Sequence, residues 1–275
     1  MGEVESIPDE RPARPPELRL SDAGAKIGGT WLFRHVHLGI PPGGLLAVVG
    51  PSGSGKTTFL RLLIGLLEPS EGSAHVDTQE WASLKGAERL RMRRTFGYVQ
   101  QQPGLLHTTL LENVAMPLRW RGMPREAAMD AARESLDAVG LSDLASRNAL
   151  GLSGGERQRA VFARAIAAQP TVLVLDEFTN HQDPDRAEHL ELIVAERIAQ
   201  GASGIIVAHD LGQVDRIRRA SGADPILGIL LAGRWITVRW EDLSRSFEEE
   251  QLAGSFLRRL AGPNVVPSGG LDPHS

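Results

Sequence analysis

Leu45-Leu-Ala-Val-Val49, followed at once by Gly50-Pro-Ser-Gly-Ser-Gly-Lys56-Thr57-Thr58, decides the fold. Five apolar residues in a row read as a strand buried on both faces. The next eight fit G-x-x-x-x-G-K-[ST], a loop that cradles phosphates when it joins a strand to a helix. Its glycines let backbone N–H groups curl around an anion without Cβ clashes, and the helix N-terminus adds partial positive charge. The Lys56 ammonium suits β- and γ-phosphates, and the Thr57 hydroxyl suits Mg²⁺. Gly50, Pro51, Ser52, Gly53, Ser54, Gly55, Lys56, Thr57 and Thr58 are therefore the expected phosphate-binding residues. The helix is expected over Lys56–Leu67, with Phe59, Leu60, Leu63, Ile64 and Leu67 on its inner face.

Working outward, Val172–Leu175 and Ile205–Ala208 are further short apolar runs of the kind parallel strands show. Asp183–Gln200 reads as a helix with Leu190, Ile193, Val194 and Ile198 inward. Strands alternating with helices predict an α/β fold with a mostly parallel sheet. Between about Thr109 and Arg147 no strand-like run occurs, and the stretch reads as an all-α insertion. Pro124 opens one helix there, Ala128, Ala131, Ala132 and Leu136 form its apolar face, and Gly140 closes it. The Val172 strand ends in Asp176-Glu177. Joined to a phosphate loop, these carboxylates place Asp176 as a metal ligand and Glu177 as the group that polarises a water.

The 275 residues are 41% hydrophobic and 23% charged, with net charge −4 and pI about 6.1. These values exclude wholesale disorder, and a slightly acidic chain is poorly suited to non-specific nucleic-acid binding. No apolar run approaches the roughly 20 residues a membrane span needs, and the acidic, Pro-rich start does not resemble a signal peptide. The absence of cysteine removes disulfides and thiolate chemistry. Only Lys26, Lys56 and Lys85 are lysines among the 30 basic residues; at position 56 the loop needs a compact ammonium on a flexible stem, which a guanidinium fork does not replace. Residues 1–17 and 262–275 read as disordered tails flanking a domain over 18–245 and a helix over 246–261.

Leu152-Ser-Gly-Gly-Glu-Arg-Gln-Arg159 stands between the phosphate loop and Asp176, and two glycines and a serine at a helix start make a second anion site. With this segment, the helix Glu156–Ala168 and Pro170 that follow, the chain over roughly 18–240 resembles the nucleotide-binding subunits of ABC transporters. The resemblance implies a P-loop NTPase of the ABC type, with a mostly parallel core sheet, an antiparallel β subdomain and an all-α helical subdomain at about 104–165. It implies an ATPase using ATP and Mg²⁺ that powers a separate transmembrane permease from the cytoplasmic face of a bacterial inner membrane. It also implies a head-to-tail homodimer, or a heterodimer with a paralogous ATPase, in which Ser153, Gly154 and Gly155 complete the ATP site of the opposite subunit. Tyr98-Val-Gln-Gln-Gln-Pro103 is similar to the family's glutamine loop, with Gln101 as the Mg²⁺- and water-sensing residue and Gln100 the alternative. Ile205-Ile-Val-Ala-His209-Asp210 is similar to the switch-histidine segment and puts His209 near the γ-phosphate. Lys56, Gln101, Glu177 and His209 are then the catalytic set, and Thr57, Gln101 and Asp176 the metal set. No direct nucleic-acid contact is expected.

Three departures from the pattern stand out. Phe178 replaces the usual proline after Asp-Glu, and Gln182 replaces an apolar residue that packs at the family's dimer interface. Ile27 stands near the position of the aromatic that stacks on adenine, with Trp31 close by on a strand but out of register. Leu105–Leu118 is similar to the stretch in lipoprotein-release, macrolide-efflux and cell-division ATPases. Trp120, between Arg119 and Arg121, suits either a membrane partner or a helix cap. The alternative function is a soluble ABC-type ATPase acting on nucleic acid or ribosomes, although neither a second cassette nor a long coiled-coil insertion is evident. A small-molecule kinase leaves the Leu152–Arg159 segment without purpose.

Overall fold

The computed structural model describes residues 13–101 and 104–243 together with residues 256, 257 and 260. Strands β1 (Leu18–Ile27) and β2 (Thr30–Ile40) form an antiparallel hairpin across Gly28-Gly29, both at positive φ. Then come β3 (Leu45–Val49), α1 (Lys56–Leu63), β4 (Glu71–Val76), β5 (Gln79–Glu80), α2 (Gly86–Arg93) and β6 (Phe96–Val99). The helices α3 (Leu110–Trp120), α4 (Arg125–Ala138) and α5 (Gly154–Ala167) follow without an intervening strand. The chain then alternates through β7 (Val172–Asp176), α6 (Pro184–Ala199), β8 (Ser203–Val207), α7 (Leu211–Ser221), β9 (Pro225–Leu231) and β10 (Arg234–Arg239).

Two sheets result. The larger has the order β10-β9-β3-β8-β7-β6; every neighbouring pair in it is parallel except β9 with β10. The smaller is antiparallel, ordered β2-β1-β4-β5. Strand β3 explains why its sequence is apolar throughout. Leu46 and Val48 join the core between the two sheets, with Phe33, Val36 and Phe59, whereas Ala47 and Val49 join the core on the helical side, with Phe162, Val194 and Val214. A strand with a core on each face cannot alternate apolar and polar residues. The three consecutive helices α3, α4 and α5 pack against one another; α3 and α4 fall within the strand-free stretch, and α5 lies beyond it.

Several boundaries differ from the sequence reading. Helix α1 stops at Leu63 rather than Leu67, and Leu67 is exposed. Gly65 takes φ 67° there, with the Trp81 ring filling the space a Cβ would need, and Trp81 Nε1 donates to Leu63 O at 3.1 Å. A long-range aromatic therefore ends the helix, and periodicity does not reveal it. Strand β7 runs one residue further, so Asp176 occupies the last rung of the sheet opposite Val207. Strand β8 begins at Ser203 and ends before Ala208. Glu17, expected in the N-terminal tail, is tied to Asp77: its N–H donates to Oδ1 at 2.9 Å, and Asp77 N–H donates to Glu17 O at 2.7 Å. Residues 1–12 and the tail at 262–275 lie outside the described residues. So does most of the expected helix at 246–261, of which Phe256, Leu257 and Leu260 are helical and pack on the core. Among the described residues no helix is long and apolar enough to cross a membrane.

Candidate active site

Four loops at the C-terminal ends of parallel strands converge: Gly50 after β3, Gln101 after β6, Glu177 after β7 and His209 after β8. Strand carbonyl ends and helix N-termini meet there, which is where open α/β sheets bind ligands. The cleft between the loops has a volume of about 300 Å³ and is lined by Ser52, Gly53, Gly55, Lys56, Thr57, Thr58, Gln101 and Glu177, with Leu32 as its apolar wall.

The phosphate loop is built around Lys56. Its Nζ donates to Gly50 O at 2.8 Å and to Pro51 O at 3.0 Å, which curls the loop back over its own side chain. Gly53 and Gly55 sit at φ 77° and 100°, a left-handed conformation that a Cβ strains. Gly50 has no room for a Cβ at all, because Leu230 O lies where one would go. Gly55 caps α1 with no side-chain bond, so the first N–H groups of the helix face the cleft, and Ser54 Oγ is buried with no hydrogen-bond partner among the described residues. Unsatisfied donors of this kind at a helix start suit a phosphate. Burial is the main force on the Lys56 ammonium and lowers its pKa, opposed by the charges of Glu177 and Asp176.

Thr57 Oγ1 donates to Asp176 Oδ2 at 2.7 Å. Burial raises the Asp176 carboxyl above the ordinary carboxylate range; the Thr57 bond opposes that and the Glu177 charge reinforces it. Two hard oxygen donors side by side fit Mg²⁺, which takes one or two carboxylates and completes its shell with water and phosphate oxygens. Among the described residues no group of three or more His, Asp or Glu is placed to hold a metal ion.

Glu177 turns the chain out of the sheet at φ 54°. Its Oε2 accepts from Gln101 Nε2 at 2.7 Å and from Asn180 Nδ2 at 2.8 Å, and His209 Nε2 lies 2.9 Å from the same oxygen. Gln101 and His209 thus meet on Glu177 from opposite sides of β7, while Gln100 is exposed at the strand end. Asn180 carries no motif, and its role is visible only once the turn is folded. Phe178 is fully buried and stacks on Phe162 of α5, with centroids 5.7 Å apart and planes 20° from parallel. Gln182 is half-buried: its Nε2 donates to Gly155 O at 2.9 Å, and its Oε1 accepts from Arg159 Nη1 at 2.8 Å.

Ser153 caps α5. Its N–H donates to Glu156 Oε2 at 2.7 Å while Glu156 N–H donates to Ser153 Oγ, and the Ser153 N–H and hydroxyl hold the Glu156 carboxyl below its ordinary range. Ser153, Gly154 and Gly155 do not line the Lys56 cleft of their own chain. Ile27 is exposed at the end of β1 and places no ring over the cleft. Trp31 pairs with Lys26 across the hairpin and stacks with Arg34, whose Cζ lies 4.4 Å from the ring centroid.

The chain matches the family model described as ABC transporter over residues 33–180. It is 35% identical over 204 residues to the methionine import ATP-binding protein MetN of Brucella abortus (strain 2308), a match covering 74% of this chain and 55% of that protein. It is 41% identical over 182 residues to the lipoprotein-releasing system ATP-binding protein LolD of Nitrobacter hamburgensis (strain DSM 10229 / NCIMB 13809 / X14), covering 63% of this chain and 76% of that one. It also resembles the dimeric structure of the ATP-binding cassette MJ0796 in a post-hydrolysis state bound to ADP and Pi. There the TM-score is 0.72 at 28% identity, over 81% of this chain and 98% of that one. The chain spans about half the length of the methionine import relatives, and relatives named for import and for lipoprotein release match side by side. The phosphate loop, the Asp176-Glu177 strand end and the capped Ser153 helix thus stand in one sequence order and one fold, and the chain belongs to the ABC transporter family as an ATP-binding cassette.

Proposed function

We propose that this chain is an ATP-hydrolysing subunit that powers a separate transmembrane partner through ATP-driven dimerisation. The observation that carries this reading is the convergence of Gln101, Asn180 and His209 on Glu177 Oε2 beside the phosphate loop. In it, Lys56 and the α1 amides bind the β- and γ-phosphates, and Thr57, Asp176 and Gln101 hold Mg²⁺. Bound Mg²⁺ supplies charge neutralisation at the phosphate oxygens. Glu177 accepts a proton from the attacking water, which Gln101 and His209 help to orient, while Lys56 and the helix amides stabilise charge on the γ-phosphoryl oxygens. Ser153, Gly154 and Gly155, absent from their own cleft, contact the γ-phosphate bound by the opposite subunit.

The segment after Gln101 supports transmission to a membrane partner. Asn113 Nδ2 donates to Leu106 O at 3.1 Å and to Thr109 O at 3.0 Å, and Asn113 Oδ1 accepts from Leu106 N–H at 2.8 Å. These bonds tie Leu106 and Thr109 to the first turn of α3, and in this reading they carry motion of the glutamine loop into the helical unit. The reading places the protein peripherally on the cytoplasmic side of a bacterial membrane. Fractionation with and without a co-expressed permease tests it. Membrane association that requires the permease, together with Mg²⁺-dependent phosphate release from ATP, is the expected result. RNA-dependent sedimentation without any permease dependence contradicts it.

A further inference from the structure

We propose that Gln213 is a positioning residue for the His209–Glu177 pair, acting through a buried polar bridge that joins the turn after β7 to the start of α7. The proposal rests on the roles assigned to those two residues above. Gln213 is only 5% exposed. Its Nε2 donates to Thr179 Oγ1 at 2.8 Å and to Glu191 Oε1 at 3.2 Å. Glu191, on α6, is 3% exposed and accepts from Arg216 Nε at 2.6 Å and Nη2 at 2.9 Å. The Gln213 backbone N–H donates to Asp210 Oδ1 at 2.7 Å and closes the first turn of α7 directly after His209.

The two turns are therefore bridged twice. His209 reaches Glu177, and four residues further on Gln213 reaches Thr179, two residues beyond Glu177. The first bridge is soft by itself, because the His209 side chain is half exposed and the backbone bond from Glu177 N–H to Val207 O is long at 3.4 Å. The second is directional, and its Gln213 end is buried.

A carboxylate and an amide are costly to bury where Leu190, Val194, Val214 and Ile217 otherwise make an apolar contact between α6 and α7. Apolar packing of the same volume would stabilise the interface without fixing the register of α7 against the catalytic turn. The hydrogen bonds fix that register, and Arg216 holds Glu191 in place through two bonds to its carboxylate.

Turnover and ATP binding are compared in the wild type, Gln213→Met, His209→Ala and the double variant, using the full chain with Mg²⁺ and ATP. Gln213→Met is expected to lower kcat by roughly 10- to 100-fold, as a misplacement of about 1 Å does, and to leave Kd for ATP within about twofold. In the His209→Ala background the same substitution is expected to lower kcat no further. Thr179→Val is expected to match Gln213→Met, and Thr179→Ser, which keeps the hydroxyl, to restore kcat. The Thr179 pair carries the test if Gln213→Met does not fold. Wild-type kcat in both Gln213→Met and Thr179→Val, or losses that multiply with His209→Ala, overturns the proposal. Wild-type turnover by His209→Ala itself instead contradicts the site reading on which the proposal rests.

Discussion

Gln182 Nε2 donates to Gly155 O at 2.9 Å, tying the loop behind Glu177 to the first turn of α5 within one chain. The same amide, through Oε1, accepts from Arg159 Nη1 at 2.8 Å, while burial lowers the Arg159 pKa and its Nε has no partner among the described residues. An apolar residue at 182 would pack but could not serve that guanidinium. The departure from the family pattern is therefore a structural bond in this chain.

Gln182→Leu is expected to leave Arg159 without its amide partner and to cost about 1–3 kcal/mol, the usual penalty for an unsatisfied buried polar group. Thermal unfolding of the nucleotide-free protein checks this, and an unchanged Tm contradicts it.

Phe178 has a comparable local cause. Stacked on Phe162 and fully buried, it fills space a proline ring would leave empty. Phe178→Ala is expected to cost about 3–5 kcal/mol in urea unfolding, because both transfer energy and cavity formation act. A loss under about 1 kcal/mol would show that the stack carries no stability.

How far the sequence discloses this molecule follows from the range of each interaction. The phosphate loop, strand β3, the Asp176-Glu177 strand end and the Ser153 cap are written in contiguous residues, so they are legible before folding. The end of α1 depends on Trp81, which is remote in sequence, and the helix reads too long without it. Asn180, Thr179 and Gln213 belong to no motif and gain meaning only when three strand ends meet. Glu191 goes unread in the sequence, although a signal for it is present. It falls on the stripe shared with Val194, Ala195 and Ile198, and a carboxylate at such a position signals a buried partner.

Among the described residues, none that lines the cleft carries an aromatic ring for the base. Ile27 is exposed, and Trp31 is engaged with Arg34. Phosphate contacts then dominate affinity, and ATP and GTP are expected to be turned over with kcat/KM within about tenfold, a difference of about 1.4 kcal/mol. Ile27→Tyr is expected to lower the KM for ATP by about fivefold or more, since stacking a base on a ring contributes about 1–3 kcal/mol. Steady-state kinetics with both nucleotides checks it, and an unchanged KM contradicts it.

Asp176 sets function against stability. Its pKa is raised chiefly by burial, so the folded protein binds a proton there at a pH where the unfolded chain has lost it. Over that window stability falls as pH rises, and above it the charged form is a standing cost in the nucleotide-free protein. Asp176→Asn is expected to raise the Tm of the nucleotide-free protein by about 2–4 °C at neutral pH, as relief of about 1 kcal/mol does in a domain of this size. It is expected to abolish the effect of Mg²⁺ on nucleotide affinity at the same time. Thermal scans across pH, with isothermal titration of ATP with and without Mg²⁺, measure both; a lower Tm contradicts the account.

The central claim is that Glu177 takes the proton of the attacking water in a site completed by a second copy of the chain. The direct measurement is phosphate release together with the size of the particle in Mg²⁺-ATP, for wild type and Glu177→Gln. The account predicts that Glu177→Gln binds ATP, loses phosphate release by roughly 10²–10⁴-fold, and accumulates as an ATP-bound dimer. Phosphate release at the wild-type rate, or a particle that stays monomeric with ATP bound, would contradict it.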